Sequence, residues 1–245
     1  MSHTYRFFGG LEAGDDSRVV LRDDEGHHAL HVVRVKVGDS VEVFDGVGNA
    51  YACLVEGIGR KEVECVVESS RFVEVESPRV VVSLAWLNKD KAVEELIQRC
   101  TELGVSEFRF FRGEHSGRDV KELGKWRKWA VESCKQCGRV RLPKFCITDG
   151  VMDTSYGGVA DVVREDEITL VASLGEGCVA LKDCMGDGRD VNVVIGPEGD
   201  FSGAEMDVLR GLDVSEVSLG GNVYRSQVAA GVLCGLVLYE LGRLE

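Results

Sequence analysis

The apolar rhythm of this 245-residue chain changes once, and that change constrains the fold more than any other feature. From Tyr5 to about Phe72 the apolar residues fall in short, mostly period-two runs: "YRFF", "RVVLRDD", "SVEVFDG", "AYACLVEGI" and "KEVECVVESS", with Asp-Gly and Gly-Asn turn signals between them. Such alternation turns one face of each run inward and the other to water, the pattern of half-buried strands. His27 to Arg34 alone suggests a short helical turn. The expected product is a small β-barrel over residues 1–74, long enough to hold its own core. A polar joint, Glu74 to Pro78, follows it.

Beyond Pro78, over residues 78–245, strand-like runs alternate with helical ones, which points to an α/β domain with a parallel sheet under helices. "RVVVSLAWL" is apolar enough to be covered on both faces. Asn88 is expected to cap a helix whose Val93, Leu96, Ile97, Cys100 and Leu103 share a face, with Gly104 at its end. "EFRFF", a basic helix from Val120 to Cys137, "ITLVAS" and "VNVVI" come next. Ser202 and Glu205 form a capping box that opens another helix. "VSEVSLG" is the last strand, and Arg225 to Leu241 a last helix so apolar that burial on all sides is expected.

Charge and cysteine usage narrow the function classes. With 29 Lys and Arg against 42 Asp and Glu, the chain carries −13 and should repel nucleic acid at long range, so any such contact needs a local basic patch. One exists: Arg118 to Lys144 holds nine bases (Arg118, Lys121, Lys125, Arg127, Lys128, Lys135, Arg139, Arg141, Lys144) against three acids, or +6. It reads either as a solvated helix face or as an RNA footprint. Nine scattered cysteines in mostly apolar surroundings suit reduced thiols in a cytoplasmic protein. The first ten residues lack a secretion signal, and the run Val228 to Tyr239 is too short to cross a bilayer, so no membrane partner is expected. No metal is expected either: His27, His28 and His31 have no fourth ligand at a typical spacing, and Cys134-x-x-Cys137 stands without a second pair.

The stretch "VNVVIGPEGDFSGAE" (Val191 to Glu205) reads as strand, glycine turn and capped helix, where many proteins hold a phosphate. Here the turn carries Glu198 and Asp200, and the spacing of Gly196, Gly199 and Gly203 fits neither nucleotide fingerprint. A nucleotide-dependent oxidoreductase is thereby disfavoured.

Six segments occur in the order and spacing of one family: "HHALHVVRVKVGDSVEVFDGVGNAY", "NKDKAVEELIQRCTELGV", "EHS" (Glu114 to Ser116), "KWRKWAVESCKQCGRVRLP", "VVIGPEGDFSGAE" and "SLGGNVYRSQVAA". Over nearly its whole length the chain resembles the ribosomal RNA small-subunit methyltransferase E (RsmE) family of the SPOUT superfamily. The resemblance implies an N-terminal PUA-like β-barrel and a C-terminal SPOUT α/β domain with a deep C-terminal trefoil knot, at about residues 168–245. It implies S-adenosylmethionine as cofactor, a homodimer packed through the knot, and methylation of uridine N3 in 16S rRNA, free or in the assembled 30S subunit.

Carried over residue by residue, the resemblance assigns three cofactor loops: Leu174 and Gly175; Ile195, Gly196, Pro197, Glu198 and Gly199; Leu219, Gly220, Asn222, Val223 and Tyr224. Arg225 falls on the arginine that faces the reacting site, with His115 and Gln227 as further catalytic candidates. Gln136, Arg139 and Arg141 match the family's RNA-facing region, and Arg34 and Lys36 are the barrel's candidate RNA contacts. The chain departs from the family where Glu-Thr-Ala becomes Gln227-Val228-Ala229 and where the GPEGG turn ends in Asp200. The alternative function is a non-catalytic RNA-binding or ribosome-assembly factor with the same fold.

Chemically, N3 methylation needs a sulfonium methyl held in line, a base lifted from its stack, and a proton acceptor. Glu198 near the mouth suits a cationic sulfur where it would repel a phosphate. Arg225 is placed to orient the base and stabilise its anion.

Overall fold

A computed structural model describes residues 4–116, 123–147, 157–175, 177–186 and 188–244. They group into two compact units: the first ends at Val75 and also includes Val131–Leu142, and the second takes in Glu76–Ala130 and Pro143 onward.

In the first unit, β1 (Tyr5–Phe8), β2 (Leu11–Glu12), β3 (Asp15–Leu21), β4 (Ser40–Phe44), β5 (Asn49–Ile58) and β6 (Val63–Phe72) form one sheet in the order β1-β4-β5-β6-β3-β2. All neighbours are antiparallel except β1 and β4, which pair in parallel from Tyr5↔Val41 to Phe8↔Phe44. A parallel pair needs a crossover. The crossover carries α1 (Asp23–His27), which continues into a π-helical segment, His28–Val33. The helical part of this region therefore starts four residues before the sequence pattern suggests. Register shifts at Ala52/Cys53 and Val55/Gly57 bend the long β5–β6 ribbon. The sheet wraps a single core to which β1, β3, β4, β5 and β6 all contribute, among them Phe7, Val19, Leu21, Val43, Cys53, Val55 and Val63.

Arg6 of β1 joins this sheet to the chain segment Val131–Leu142. Its Nε donates to Glu42 at 2.7 Å, and its two terminal nitrogens donate to the carbonyls of Cys134 and Arg139. The Cys134 carbonyl, in the last turn of a helix, also accepts the Gly138 amide at 3.1 Å, and Arg139 lies just beyond the helix end.

The second unit contains β7 (Val80–Ala85), α2 (Asp90–Glu102), β8 (Glu107–Phe111), α3 (Leu123–Cys137, its last turns belonging with the first unit), β9 (Lys144–Ile147), α4 (Gly157–Ala160), β10 (Glu167–Ala172), α5 (Leu181–Cys184), β11 (Asp190–Ile195), α6 (Gly203–Arg210), β12 (Val214–Val217) and α7 (Ser226–Glu240). Its six strands are all parallel, in the order β12-β10-β11-β7-β8-β9. β7 and β8 are buried along their whole length, as their unbroken apolar runs require. Ligands of open parallel sheets bind beyond the carboxyl ends of the strands. The order places the carboxyl ends of β12, β10, β11 and β7 side by side, so the loops that follow them meet.

Glu107, Arg109 and Glu167 are charged residues inside this sheet. Arg109 Nε donates to Glu107 at 2.7 Å, and its two terminal nitrogens donate to the two oxygens of Glu167 at 2.6 Å each. Arg164 lies within 3.8 Å of both carboxylates, so two cations balance two anions.

Two expectations are corrected here. Asn88 does not cap α2: the cap position is Lys89, which makes no side-chain cap bond, because Asn88 is drawn away to Glu198. The last helix is not buried on every side. Val232, Leu236 and Tyr239 form an exposed apolar stripe on α7, opposite Ala230, Leu233, Cys234 and Val237, which fill the core.

Candidate active site

The loops after β10, β11 and β12, with the first residues of α2 and α7, line a cavity of about 530 Å³ in the second unit. Its wall is made of Ala172, Ser173 and Leu174; Ile195, Gly196, Pro197, Glu198 and Asp200; Leu219, Asn222, Val223, Tyr224, Arg225, Ser226, Gln227 and Ala229; and Lys89 and Ala92. Volume and lining suit one small organic ligand, apolar on one part and polar on another.

Each loop is fixed by identifiable bonds. The first is held from below: Ser173 Oγ donates to Glu216 at 2.7 Å and accepts the amide of Gly175 at 3.0 Å. Arg210 donates to the other oxygen of Glu216 at 2.7 Å, and these bonds from Arg210 and Ser173 hold the Glu216 carboxyl below the usual carboxylate range. In the second loop Gly196 passes so close to Phe201 that a Cβ there would lie 3.1 Å from the ring, which explains the glycine. Ser226, at the start of α7, donates to the Gly196 carbonyl at 2.9 Å and so joins the third loop to the second.

Glu198 has a structural partner that its sequence neighbourhood does not suggest. The backbone N–H of Asn88 donates to both carboxylate oxygens, at 3.0 and 3.2 Å, and Asn88 Nδ2 lies 3.4 Å from one of them. The charge of Glu198 still faces the cavity, but the carboxylate is a strut between the turn and the entry to α2.

Asp200 follows the turn at φ 63° and lines the cavity. Left-handed backbone there accounts for glycine as the family residue, and a short carboxylate side chain is among the few that tolerate it. Asp200 Oδ1 accepts the amide of Phe201 at 2.8 Å.

The capping box Ser202–Glu205 forms as the sequence requires, and Glu205 does more than cap. One of its oxygens accepts the Ser202 amide at 2.8 Å and the other the Glu114 amide at 3.0 Å. The loop of Glu114 to Ser116 is thereby tied to the start of α6. His115 Nδ1 donates to the Asp200 carbonyl at 3.0 Å.

Of the residues assigned by motif to the cofactor, Leu174, Ile195, Gly196, Pro197, Glu198, Leu219, Asn222, Val223 and Tyr224 line the cavity; Gly175, Gly199 and Gly220 belong to the same loops without lining it. Arg225 and Gln227 line it and His115 does not. Arg225 is exposed, whereas Gln227 is only 8% exposed. Sequence reasoning missed Lys89, Ser173, Asp200 and Ser226. Lys89 sits at the N-cap of α2 as Arg225 does at that of α7, so two positive helix ends open on the cavity.

The candidate RNA residues all belong to the first unit. Arg34 and Lys36 are exposed, Arg34 in left-handed backbone at φ 60°. Gln136 is exposed and Arg139 half-buried. Arg141 is already engaged: its Nε donates to the Val73 carbonyl at 2.6 Å and its guanidinium lies 4.9 Å over the Phe72 ring. Lys135 is not a free surface base, since its side chain is 7% exposed and donates to Glu25, Glu132 and His28. Arg118 and Lys121 lie outside the described residues. Among the described residues no cluster of three metal-binding side chains occurs.

A family model described as an RNA methyltransferase domain matches residues 75–238, and one described as an RNA methyltransferase PUA domain matches residues 21–68. A ribosomal RNA small subunit methyltransferase E from Mycobacterium bovis is 30% identical over 228 residues, which are 89% of this chain and 85% of the relative. A probable rRNA-methyltransferase from Porphyromonas gingivalis superposes with a TM-score of 0.84 at 25% identity, covering 97% of this chain and 98% of that one. A ribosomal RNA small subunit methyltransferase E from Neisseria gonorrhoeae, whose structure holds S-adenosylmethionine, superposes with a TM-score of 0.82 at 21% identity over 97% and 98% of the two chains. The sheet order, the cavity at its carboxyl edge and these two lines of relationship lead to one conclusion: the chain belongs to the ribosomal RNA small subunit methyltransferase E family of RNA methyltransferases.

Proposed function

We propose that the protein transfers the methyl group of S-adenosylmethionine to N3 of a uridine in 16S rRNA. The observation that carries this reading is the convergence of three loops and two helix N-termini on one cavity, lined by Leu174, Ile195, Leu219 and Arg225. The residues fit the cofactor. Leu174, Ile195 and Val223 offer apolar walls to an adenine ring, the loop backbones offer its edge donors and acceptors, and Glu198 and Asp200 favour its cationic end. When bound, the cofactor supplies an electrophilic methyl group. The chain's own part is to position the base, to exclude water, and with Arg225 to stabilise the anionic base left when N3 loses its proton.

Finer features belong to the same proposal. The segment from residue 168 to the C-terminus is read as a trefoil knot, the arrangement in which the family's three loops form such a pocket. The exposed apolar residues Val232, Leu236 and Tyr239 on α7, with Val223 and Tyr224 on its approach, support a homodimer packed there. The first unit is the PUA-like RNA-binding part, in which Arg34, Lys36, Gln136 and Arg139 meet phosphate or base while Arg141 ties its own segment to Phe72 and Val73. A ribosomal substrate, free or as the 30S subunit, puts the work in the cytoplasm.

The experiment is calorimetric titration with S-adenosylmethionine, followed by incubation with unmodified 30S subunits and free 16S rRNA and nucleoside mass spectrometry. N3-methyluridine is the expected product. A folded protein that binds RNA but neither binds the cofactor nor yields this nucleoside is a non-catalytic RNA-binding or assembly factor, and the proposal fails.

A further inference from the structure

Successive residues at the end of β6 face opposite ways. Val73 packs onto Phe44, Ala50, Cys134 and Val140, while Phe72 is left outside, 55% exposed. Its predecessors Glu68, Ser69, Ser70 and Arg71 are exposed too, but they are polar, as suits a strand end in water. Phe72 breaks that pattern, and exposed Val47 adds a second apolar side chain on the adjoining turn. Large apolar side chains gathered in the open mark a surface that something covers.

Backbone bonds bring Arg141 to the same spot. The Leu142 amide donates to the Gly46 carbonyl and the Val73 amide to the Gly48 carbonyl, each at 2.9 Å, and Val47 forms a bridge with Arg141. The Arg141 guanidinium then lies 4.9 Å over the Phe72 ring, its Nε donating to the Val73 carbonyl at 2.6 Å. Gly48 leaves room for it, since a Cβ there would lie 2.5 Å from one terminal nitrogen. Both terminal nitrogens lack a hydrogen-bond partner among the described residues. Asp45, the acid of this turn, is committed to Val47 and Asn49 and leaves the guanidinium charge unspent.

The product is a flat ring and a flat cation, ordered before any partner arrives, with open donors at one edge. Unpaired RNA bases stack on aromatic rings and guanidinium planes, and the positive charge attracts their phosphates. A protein partner would need a far larger surface than these three side chains offer. Resting on the RNA-methyltransferase reading above, we propose that Phe72 and Arg141 form a stacking platform for an unpaired nucleobase of the substrate RNA, a base other than the one that enters the cavity. Every base has a π-face, so the platform reads no sequence; it adds affinity and holds the strand in register.

The test measures binding of free 16S rRNA by wild type, Phe72→Ala, Phe72→Leu and Phe72→Trp between about 50 and 200 mM salt. Phe72 lies outside the core, so the four proteins should melt together. Phe72→Ala should bind about 5- to 150-fold more weakly, the range for one lost base–aromatic stack, with the salt dependence unchanged because no charge is removed. Phe72→Trp keeps a flat ring and should bind at least as tightly as wild type, whereas Phe72→Leu, apolar but not flat, should lose nearly as much as Phe72→Ala. Arg34→Ala, a charge contact, should instead reduce the salt slope by about one. Ultraviolet crosslinking with peptide mass spectrometry should place a nucleotide on the peptide that carries Phe72. Phe72→Ala within about twofold of wild type, or Phe72→Leu equal to it, overturns the platform and leaves the RNA reading in place. A wild-type protein that binds no 16S rRNA overturns that reading, and the platform with it.

Discussion

Replacing Arg109 by Met takes the cation out of a buried cluster whose charges sum to zero. The Arg109 side chain is 1% exposed, and those of its partners Glu107 and Glu167 are 6% and 2% exposed. Met conserves most of the volume, so cavity formation contributes little. What is lost is three short charge-assisted hydrogen bonds, and what remains is two buried carboxylates facing one half-exposed guanidinium, Arg164, at 3.7 and 3.8 Å. Removing one partner of a buried pair costs about 3–5 kcal/mol, and Arg164 can offset only part of it. The double variant Arg109→Met with Glu167→Met restores neutrality, leaving Glu107 with Arg164, and should lie within about 1 kcal/mol of wild type. Urea unfolding at fixed protein concentration, followed by the fluorescence of Trp86 and Trp126, measures both.

Proton linkage gives a second signature of the same cluster. Burial pushes the Glu107 carboxyl up, but the hydrogen bond and charge of Arg109 outweigh it and hold the group below its usual range. In wild type this contribution is present above the unfolded carboxyl value, about 4.3, and is lost as pH falls through the folded value. In Arg109→Met burial prevails and the folded value rises, so the deficit against wild type should shrink from pH 7 to pH 5. A single variant within 1 kcal/mol of wild type, or a double variant less stable than the single one, refutes the charge-balance argument.

Glu205→Ala should cost about 3 kcal/mol, because it leaves the buried Ser202 amide and the part-buried Glu114 amide without their acceptor; denaturant midpoints check it, and a loss below 1 kcal/mol contradicts the assignment. Asn88→Asp sets a carboxylate against Glu198 and should weaken cofactor binding at least about tenfold by calorimetry, while Asn88→Ala, which keeps the backbone bond, should do less; equal affinities in both would show that Glu198 is not held this way. Burial raises the Asp190 carboxyl, but the Arg79 backbone amide and guanidinium outweigh it and hold the group below the usual range. Its stabilisation is thus present above about pH 4 and lost below, so Asp190→Asn should reduce stability at pH 7 and flatten its fall into acid, read from melting temperatures across that range.

How much could be read before any coordinates follows from the range over which each feature acts. Period-two alternation before Phe72 and unbroken apolar runs after Pro78 report solvent exposure residue by residue, and strands appear at those runs, whereas the short β2 and β9 had no such run to announce them. The Ser202–Glu205 box and the stop at Gly104 close within one helical turn, so short sequence windows suffice for both. Family resemblance extended this to the three loops, whose residues are contiguous in sequence. Asn88 shows the limit: a good N-cap by local rules, it bonds instead to Glu198, 110 positions away.

Local sequence thus determined which of the longer segments become strand or helix, because backbone donors and apolar spacing act within a few residues, and the family resemblance pointed to the three loops. Tertiary structure alone decided the rest. Strand order set β10 between β11 and β12 and so brought Ser173, Asp200 and Gln227 to one cavity. Tertiary packing also joined Arg109 to Glu167, with two strands of the sheet between theirs, and turned one stripe of the apolar α7 outward. Periodicity records whether a residue is covered; it carries no record of which distant residue covers it, and at Asp200 that neighbour relation gives a departure from the family pattern its place in the site.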